Sequence, residues 1–153
     1  MSLNILLIDD HTLFREGLEG LLGRRNINVL AAVGDGREGL RLASELNPDV
    51  ILLDMNFKAG QNTGNEGIFW MNKIREKDPD ASVVFITAYW DVELAIKSLK
   101  EGAVDFIMKS WDEQKILSTL ISAYELRKSR MEVNLMKNKQ AHLTRELVKD
   151  LSV

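Results

Sequence analysis

Residues 47–54 read NPDVILLD. Pro48 cannot continue a helix and disfavours helical backbone at Asn47, so it separates a helix before it from a new element after it. Val50, Ile51, Leu52 and Leu53 are then apolar in an unbroken row. A strand with one solvated face would alternate. A continuous aliphatic run predicts a strand buried on both faces, as in a parallel sheet covered by helices. The run closes on a carboxylate, Asp54. In an open α/β sheet the carboxyl end of a strand is where ligands bind, so Asp54 is the first candidate functional residue.

Outward from this stretch the same unit recurs. Asn4 to Ile8 is a short apolar strand, followed by Asp9-Asp10. Thr12 to Leu22 is predicted as a helix with Phe14, Leu18, Leu21 and Leu22 on one face. Asn28 to Val33 is a strand closed by Gly34-Asp35-Gly36, and Arg37 to Leu46 a helix with Leu40, Ala43 and Leu46 inward. Residues 55–66, rich in asparagine and glycine, read as a loop. Gly67 to Lys77 is helical, Pro79 punctuates, and Ser82 to Ile86 is a strand. Asp91 to Glu101 is a helix with Asp91 as N-cap and Gly102 past its end. Asp105 to Met108 is the fifth strand, and from Asp112 the chain reads as helix almost to its end. Five strands, each followed by a helix, imply a parallel sheet with helices on both faces. No internal repeat or low-complexity stretch interrupts the pattern.

The strand ends therefore decide the chemistry. Strand one ends in Asp9-Asp10, strand three in Asp54, strand four in Thr87 and strand five in Lys109. Facing one crevice, they would bring together three carboxylates, a hydroxyl and an ammonium. Three carboxylates repel one another unless a cation sits among them, and hard oxygen donors in small number suit Mg²⁺. Each residue has a plainer use when taken alone. Asp10 could cap a helix, Asp54 a turn, Thr87 could be a turn hydroxyl and Lys109 a solvated lysine. Their joint placement at successive strand ends of one alternating pattern is harder to reduce in that way. His11 reads as a loop or helix-start residue.

Composition narrows the alternatives. The chain has 153 residues, 45% hydrophobic and 28% charged, which suits one globular domain able to fold without staples. No cysteine is present, so disulfides, thiolate metal sites and cysteine nucleophiles are excluded, and the expected location is the cytoplasm. His11 and His142 are the two histidines, which disfavours a multi-histidine zinc centre. No apolar run approaches the length of a membrane span, and the start lacks the basic and apolar regions of a signal peptide. The net charge of −3 argues against general nucleic-acid binding, but it is unevenly spread. Residues 1–126 carry 13 basic and 20 acidic side chains, a net −7, whereas residues 127–153 carry 7 and 3, a net +4. This shift marks a compact acidic domain, 1–126, followed by a segment of another kind, 127–153.

The motifs ILLIDDHTLFREGLEGLL, NPDVILLDMN, VVFITAY and LKEGAVDFIMKS together resemble the receiver domain of two-component response regulators, over about residues 3–126. The resemblance implies a flavodoxin-like, doubly wound (βα)5 fold. It implies that Asp54 accepts a phosphoryl group from a histidine kinase, in a Mg²⁺-dependent reaction. Asp9, Asp10 and Asp54 would hold the ion, with the Asn56 backbone carbonyl as a further ligand. Thr87 and Lys109 would contact the phosphoryl oxygens, and Thr87 with Phe106 would form the conformational switch. Such a chain is a phosphoacceptor with self-phosphorylation and autodephosphorylation chemistry, not an enzyme turning over a separate substrate. It would control an output domain or effector outside this chain, with transcription as the expected readout. Residues 1–50 resemble regulators carrying a LuxR-type DNA-binding domain, and residues 55–140 those carrying an enhancer-binding AAA+ ATPase.

The sequence departs from the family at Ser110, where proline usually follows the lysine, in the loop MNFKAGQNTGNEG after Asp54, and at Trp90 and Trp111. A haloacid-dehalogenase-like Mg²⁺-dependent phosphohydrolase is the alternative, but it would want a second aspartate where Asn56 stands. No phosphate-binding loop and no helix-turn-helix module is legible, so sequence-specific DNA binding by this chain is not expected. From Leu126 a seven-residue spacing runs through Val133, Gln140 and Leu147, with companions Ser129, Met136, Leu143 and Asp150. That pattern predicts a signalling helix able to pair with a second copy of the chain.

Overall fold

The computed structural model describes residues 2–55, 65–88, 92–109 and 112–151. Its elements are β1 (Asn4–Ile8), α1 (Thr12–Arg24), β2 (Asn28–Val33), α2 (Gly36–Leu46), β3 (Val50–Asp54), α3 (Asn65–Lys77), β4 (Val83–Thr87), α4 (Val92–Glu101), β5 (Asp105–Met108) and α5 (Glu113–Leu151). The strands form one parallel sheet in the order β2-β1-β3-β4-β5. The chain winds one way to β2 and then back across β1, so the topological switch point lies between β1 and β3.

The continuous apolar runs are explained by the two faces of the sheet. Ile5, Leu7, Val50, Leu52, Val84 and Ile86 pack on one side against Leu18, Leu21 and Leu22 of α1 and Ile116, Leu120 and Ala123 of α5. Their neighbours in sequence, Leu6, Ile8, Ile51, Leu53, Val83 and Phe85, pack on the other side against Ala43 of α2, Ile68, Met71 and Ile74 of α3, and Ala95 of α4. Successive strand residues point to opposite faces, and here both faces are dry.

Several element ends differ from the sequence reading. β3 runs on through Asp54, because its backbone stays in register with Ile86 of β4. β4 is displaced by one residue and includes Thr87, paired with Met108 of β5. Leu46, expected inward, is 38% exposed. It is the last helical residue of α2, and Asn47 turns the chain away in the left-handed conformation. Asp91, expected to cap α4, lies outside the described residues.

At the entry of α3, Gly67 lies against the end of β3. A Cβ there would stand 2.8 Å from the Met55 carbonyl oxygen and 2.8 Å from Phe85 Cε1. Only a residue without a side chain lets the helix approach this closely. α5 is 39 residues long, about 58 Å at the usual rise. Its first turns are sheet-packed, and Arg127 Nη1 donates to Asp78 Oδ2 at 2.8 Å. Asn134 Nδ2 donates to Asp80 Oδ1 at 2.6 Å, whereas every described side chain from Met131 onward is exposed. Among the described residues no helix is long and apolar enough to cross a membrane.

Candidate functional site

The carboxyl ends of β1, β3, β4 and β5 meet as expected, and the sheet's own hydrogen bonds set their side chains in place. The Asp9 N–H donates to the Val33 carbonyl at 2.9 Å, and the Lys109 N–H to the Thr87 carbonyl at 2.8 Å. The ladder thus extends beyond the strands and fixes the backbone of both residues. Asp9, Asp54 and Thr87 are buried, at 0%, 2% and 0% exposure.

Lys109 bridges the carboxylates. Its Nζ lies 3.6 Å from Asp54 Oδ1 and 3.7 Å from Asp9 Oδ2. The same ammonium sits 5.2 Å from the centre of the Phe14 ring, whose face attracts a cation. Lys109 is therefore no freely solvated lysine. Thr87 Oγ1 donates to the Ala88 carbonyl at 3.3 Å, so its hydroxyl also serves the local turn. Phe106 is partly buried on β5, opposite Phe85, and packs against the α2–α4 side of the core.

The simple capping role for Asp10 does not hold. The N-cap of α1 is His11, without a side-chain capping bond, and no acidic residue occupies the first turn. Asp10 Oδ1 is instead buried without a hydrogen-bond partner, as is Asp9 Oδ2. Burying acceptor oxygens with no donor is costly, and a cation among them would remove the cost. Ligand atoms of Asp9, Asp10, His11 and Asp54 all fall within 4.8 Å of one another. The aspartates thus fit a hard divalent ion. Asn56, expected to add its backbone carbonyl, lies outside the described residues, as do Trp90, Ser110 and Trp111.

His11 is the residue whose role the sequence did not reveal. Its Nδ1 lies 2.9 Å from Lys109 Nζ, 3.2 Å from Asp9 Oδ1, 3.3 Å from Asp10 Oδ1 and 3.5 Å from Asp54 Oδ2. Its backbone N–H donates to Asp9 Oδ1 at 2.8 Å. The one available signal was its adjacency to the acidic pair, which a helix-start reading absorbs. Arg15 Nη1 also donates to the Asp9 carbonyl, at 2.6 Å, and helps to hold the β1 end.

An open parallel sheet with an acidic crevice and one ammonium at its switch point defines a class of protein built around a charged strand-end site. Residues 5–121 match the family described as response regulator receiver domain. The chain belongs to that family. It is 33% identical over 120 residues to the nitrate/nitrite response regulator protein NarL of Escherichia coli (strain K12), covering 78% of this chain and 53% of that protein. It is 32% identical over 122 residues to the transcriptional regulatory protein LiaR of Bacillus subtilis (strain 168), covering 79% and 56%. The chain spans about half the length of these curated relatives. Among solved structures, the N-terminal signal receiver domain of a two-component response regulator from Bacteroides fragilis superposes with a TM-score of 0.70 at 37% identity, over 81% of this chain and 98% of that one. NtrX from Brucella abortus, at 23% identity and a TM-score of 0.79, shares the fold over 92% of this chain and 30% of its own. The phosphohydrolase alternative finds no support in these likenesses.

Proposed function

We propose that Asp54 is the phosphoacceptor of this receiver domain. The observation that carries this reading is the buried Asp54 carboxylate at the end of β3, with Lys109 Nζ 3.6 Å from it and Asp9 and Asp10 in the same cluster. A carboxylate oxygen of Asp54 forms the new O–P bond as the P–N bond of a phosphohistidine on a histidine kinase breaks, and the imidazole leaves with the electron pair. Asp9, Asp10 and Asp54 would hold Mg²⁺, and the Asn56 carbonyl would be the further ligand that the family resemblance implies. When bound, the ion supplies positive charge against the phosphoryl oxygens. Lys109 supplies more, and Thr87 turns its hydroxyl from the Ala88 carbonyl to the phosphoryl group. That turn opens space toward Phe106, whose ring carries no polar group that would resist moving inward. The acyl phosphate is lost to water in time, so the domain switches and resets without turning over a separate substrate.

We further propose that residues 1–126 form the receiver and residues 127–153 a signalling helix leading to an output domain or effector. The names of the curated relatives, which concern transcription and the nitrate/nitrite response, support a transcriptional readout. The test of the acceptor is intact mass after treatment with acetyl phosphate, with and without Mg²⁺. The wild-type chain gains one phosphoryl group when Mg²⁺ is present, and Asp54→Ala gains none. An equal gain in that variant would overturn the assignment.

A further inference from the structure

We propose that the tail of α5 pairs with the tail of a second copy in parallel and in register, with Val133, Met136, Leu143 and Leu147 supplying the attraction and Gln140, Glu132 and Lys137 fixing the direction. This deepens the reading of residues 127–153 as a signalling helix and rests on it.

The body decides which face of the helix is offered. Arg127 Nη1 donates to Asp78 Oδ2 at 2.8 Å, Arg130 Nη1 to the Ala81 carbonyl at 3.3 Å and Asn134 Nδ2 to Asp80 Oδ1 at 2.6 Å. At 3.6 residues per turn, these three side chains lie about 130° round the helix from the centre of the row Val133, Met136, Gln140, Leu143 and Leu147. The bonds to the turn before β4 thus fix the rotation of α5 so that the row faces away from its own body. Val133, Met136, Leu143 and Leu147 are 46–69% exposed, and a second copy reaches them without breaking any of these bonds. The row alternates steps of three and four residues. That is the narrow seam of a coiled coil, not the wider stripe of a helix lying on a core.

Gln140 separates the two directions. In a parallel, in-register coil each seam residue meets its own copy. Gln140 then meets Gln140, and two amides, each with donors and an acceptor, hydrogen-bond to one another. In an antiparallel coil the two kinds of seam position face each other, so Gln140 falls opposite Met136 or Leu143 of the second copy. Its amide would then be covered by an apolar side chain with no partner, which is costly.

The flanks agree. Glu132 stands just before the seam residue Val133, and Lys137 just after Met136. In a parallel coil the first kind of flank faces the second kind one heptad on, so Glu132 of each copy faces Lys137 of the other. Lys139 faces Thr144 and Glu146 faces Leu151, so no like charges are opposed along these flanks. Antiparallel pairing sets the flank of Arg130 and Lys137 against the same flank of the second copy, cation against cation. The charge pairs select the direction, and the apolar seam supplies the affinity. Asp150 would face its own copy, so the seam ends at Leu147.

The chain has no cysteine, so single cysteines introduced into the full chain report direction directly. On mild oxidation, Val133→Cys, Met136→Cys and Leu147→Cys should each give a disulfide-linked dimer by intact mass, whereas Ala141→Cys, on the outer face, should not. Mixing Val133→Cys with Leu143→Cys, or Met136→Cys with Leu147→Cys, tests the antiparallel registers and should give no mixed dimer. By sedimentation, Glu132→Lys should weaken the dimer about threefold more than Glu146→Lys, the same charge change with no cation opposite. Adding Lys137→Glu to Glu132→Lys should restore it. Mixed dimers in place of the single-variant ones, equal trapping of Ala141→Cys, a monomer throughout, or equal weakening by Glu132→Lys and Glu146→Lys would overturn the inference. In those cases Asp54 phosphorylation and the helical circular dichroism of the tail would persist, and the reading of a receiver with a signalling helix would stand. A wild-type chain whose helical signal falls short by the share of the tail would remove both.

Discussion

Asp10 and Lys109 show how the charges of the crevice are balanced residue by residue. Asp10 Oδ1 is buried with no hydrogen-bond partner beside Asp9 and Asp54, so in a solution without divalent ions it adds repulsion. Asp10→Asn should therefore raise stability by about 1 kcal/mol when divalent ions are chelated, and lower Mg²⁺ affinity at the same time. Urea unfolding with and without Mg²⁺ reads both effects, and a variant less stable under chelation would count against the repulsion. Lys109 has the opposite sign and a different job. Lys109→Met keeps the stem over Phe14 but removes the charge 3.6 Å from Asp54. Phosphorylation by acetyl phosphate should slow about 10²-fold, by analogy with the loss of one donor to a developing oxyanion. An undiminished rate, followed by intact mass, would exclude Lys109 from the phosphoryl site. Asp9, Asp10, Asp54, Thr87 and Lys109 were legible because each ends an apolar run, and runs are visible in sequence. His11 was not, because its place depends on β1, β3 and β5 converging on one helix start.

At the scale of elements, the strands were the most legible part, since burial on both faces leaves unbroken aliphatic runs. Helix ends were less so. The sequence began α3 at Gly67, and the structure begins it at Asn65, placing Gly67 inside the first turn. A glycine there looks like a helix breaker, but its reason is tertiary. The Gly67 N–H reaches the Met55 carbonyl at 3.2 Å, and no space remains for a methyl group. Gly67→Ala would gain in helix propensity on an isolated helix. In the protein it should cost about 1–3 kcal/mol, because the contacts at 2.8 Å involve the Met55 backbone and the Phe85 ring, neither of which is a flexible chain end. Chemical denaturation measures the balance. A stabilised variant would mean that β3 and α3 can separate without loss.

Across the whole molecule, a compact acidic body is joined to a basic helix that leaves it. The body's hold on α5 reaches Asn134, through the Asp78–Arg127 and Asp80–Asn134 bonds. Beyond it, Met136, Leu143, Leu147 and Leu151 are 62–84% exposed, and Val133 just before them is 46% exposed. Spaced three, seven, four and four apart, with Gln140 in the gap, these side chains line one stripe. Most of a helix's stability in a protein comes from packing of its apolar face, so a second copy that covers the stripe would supply what propensity does not. The seven-residue spacing was visible in the sequence; where the body's support ends was not, because it depends on contacts with the loop before β4. Sedimentation should show a dimer that weakens when residues 131–153 are removed. Residues 127–153 carry 7 basic and 3 acidic side chains, so two parallel copies of that segment repel one another electrostatically while their apolar stripes attract. Raising ionic strength from about 0.02 to 0.5 M shortens the screening length several-fold and should therefore strengthen the dimer. An interface held by salt bridges would respond in the opposite direction, and a chain that stays monomeric at high concentration in both salts, with and without a phosphoryl mimic, would rule out pairing through the tail.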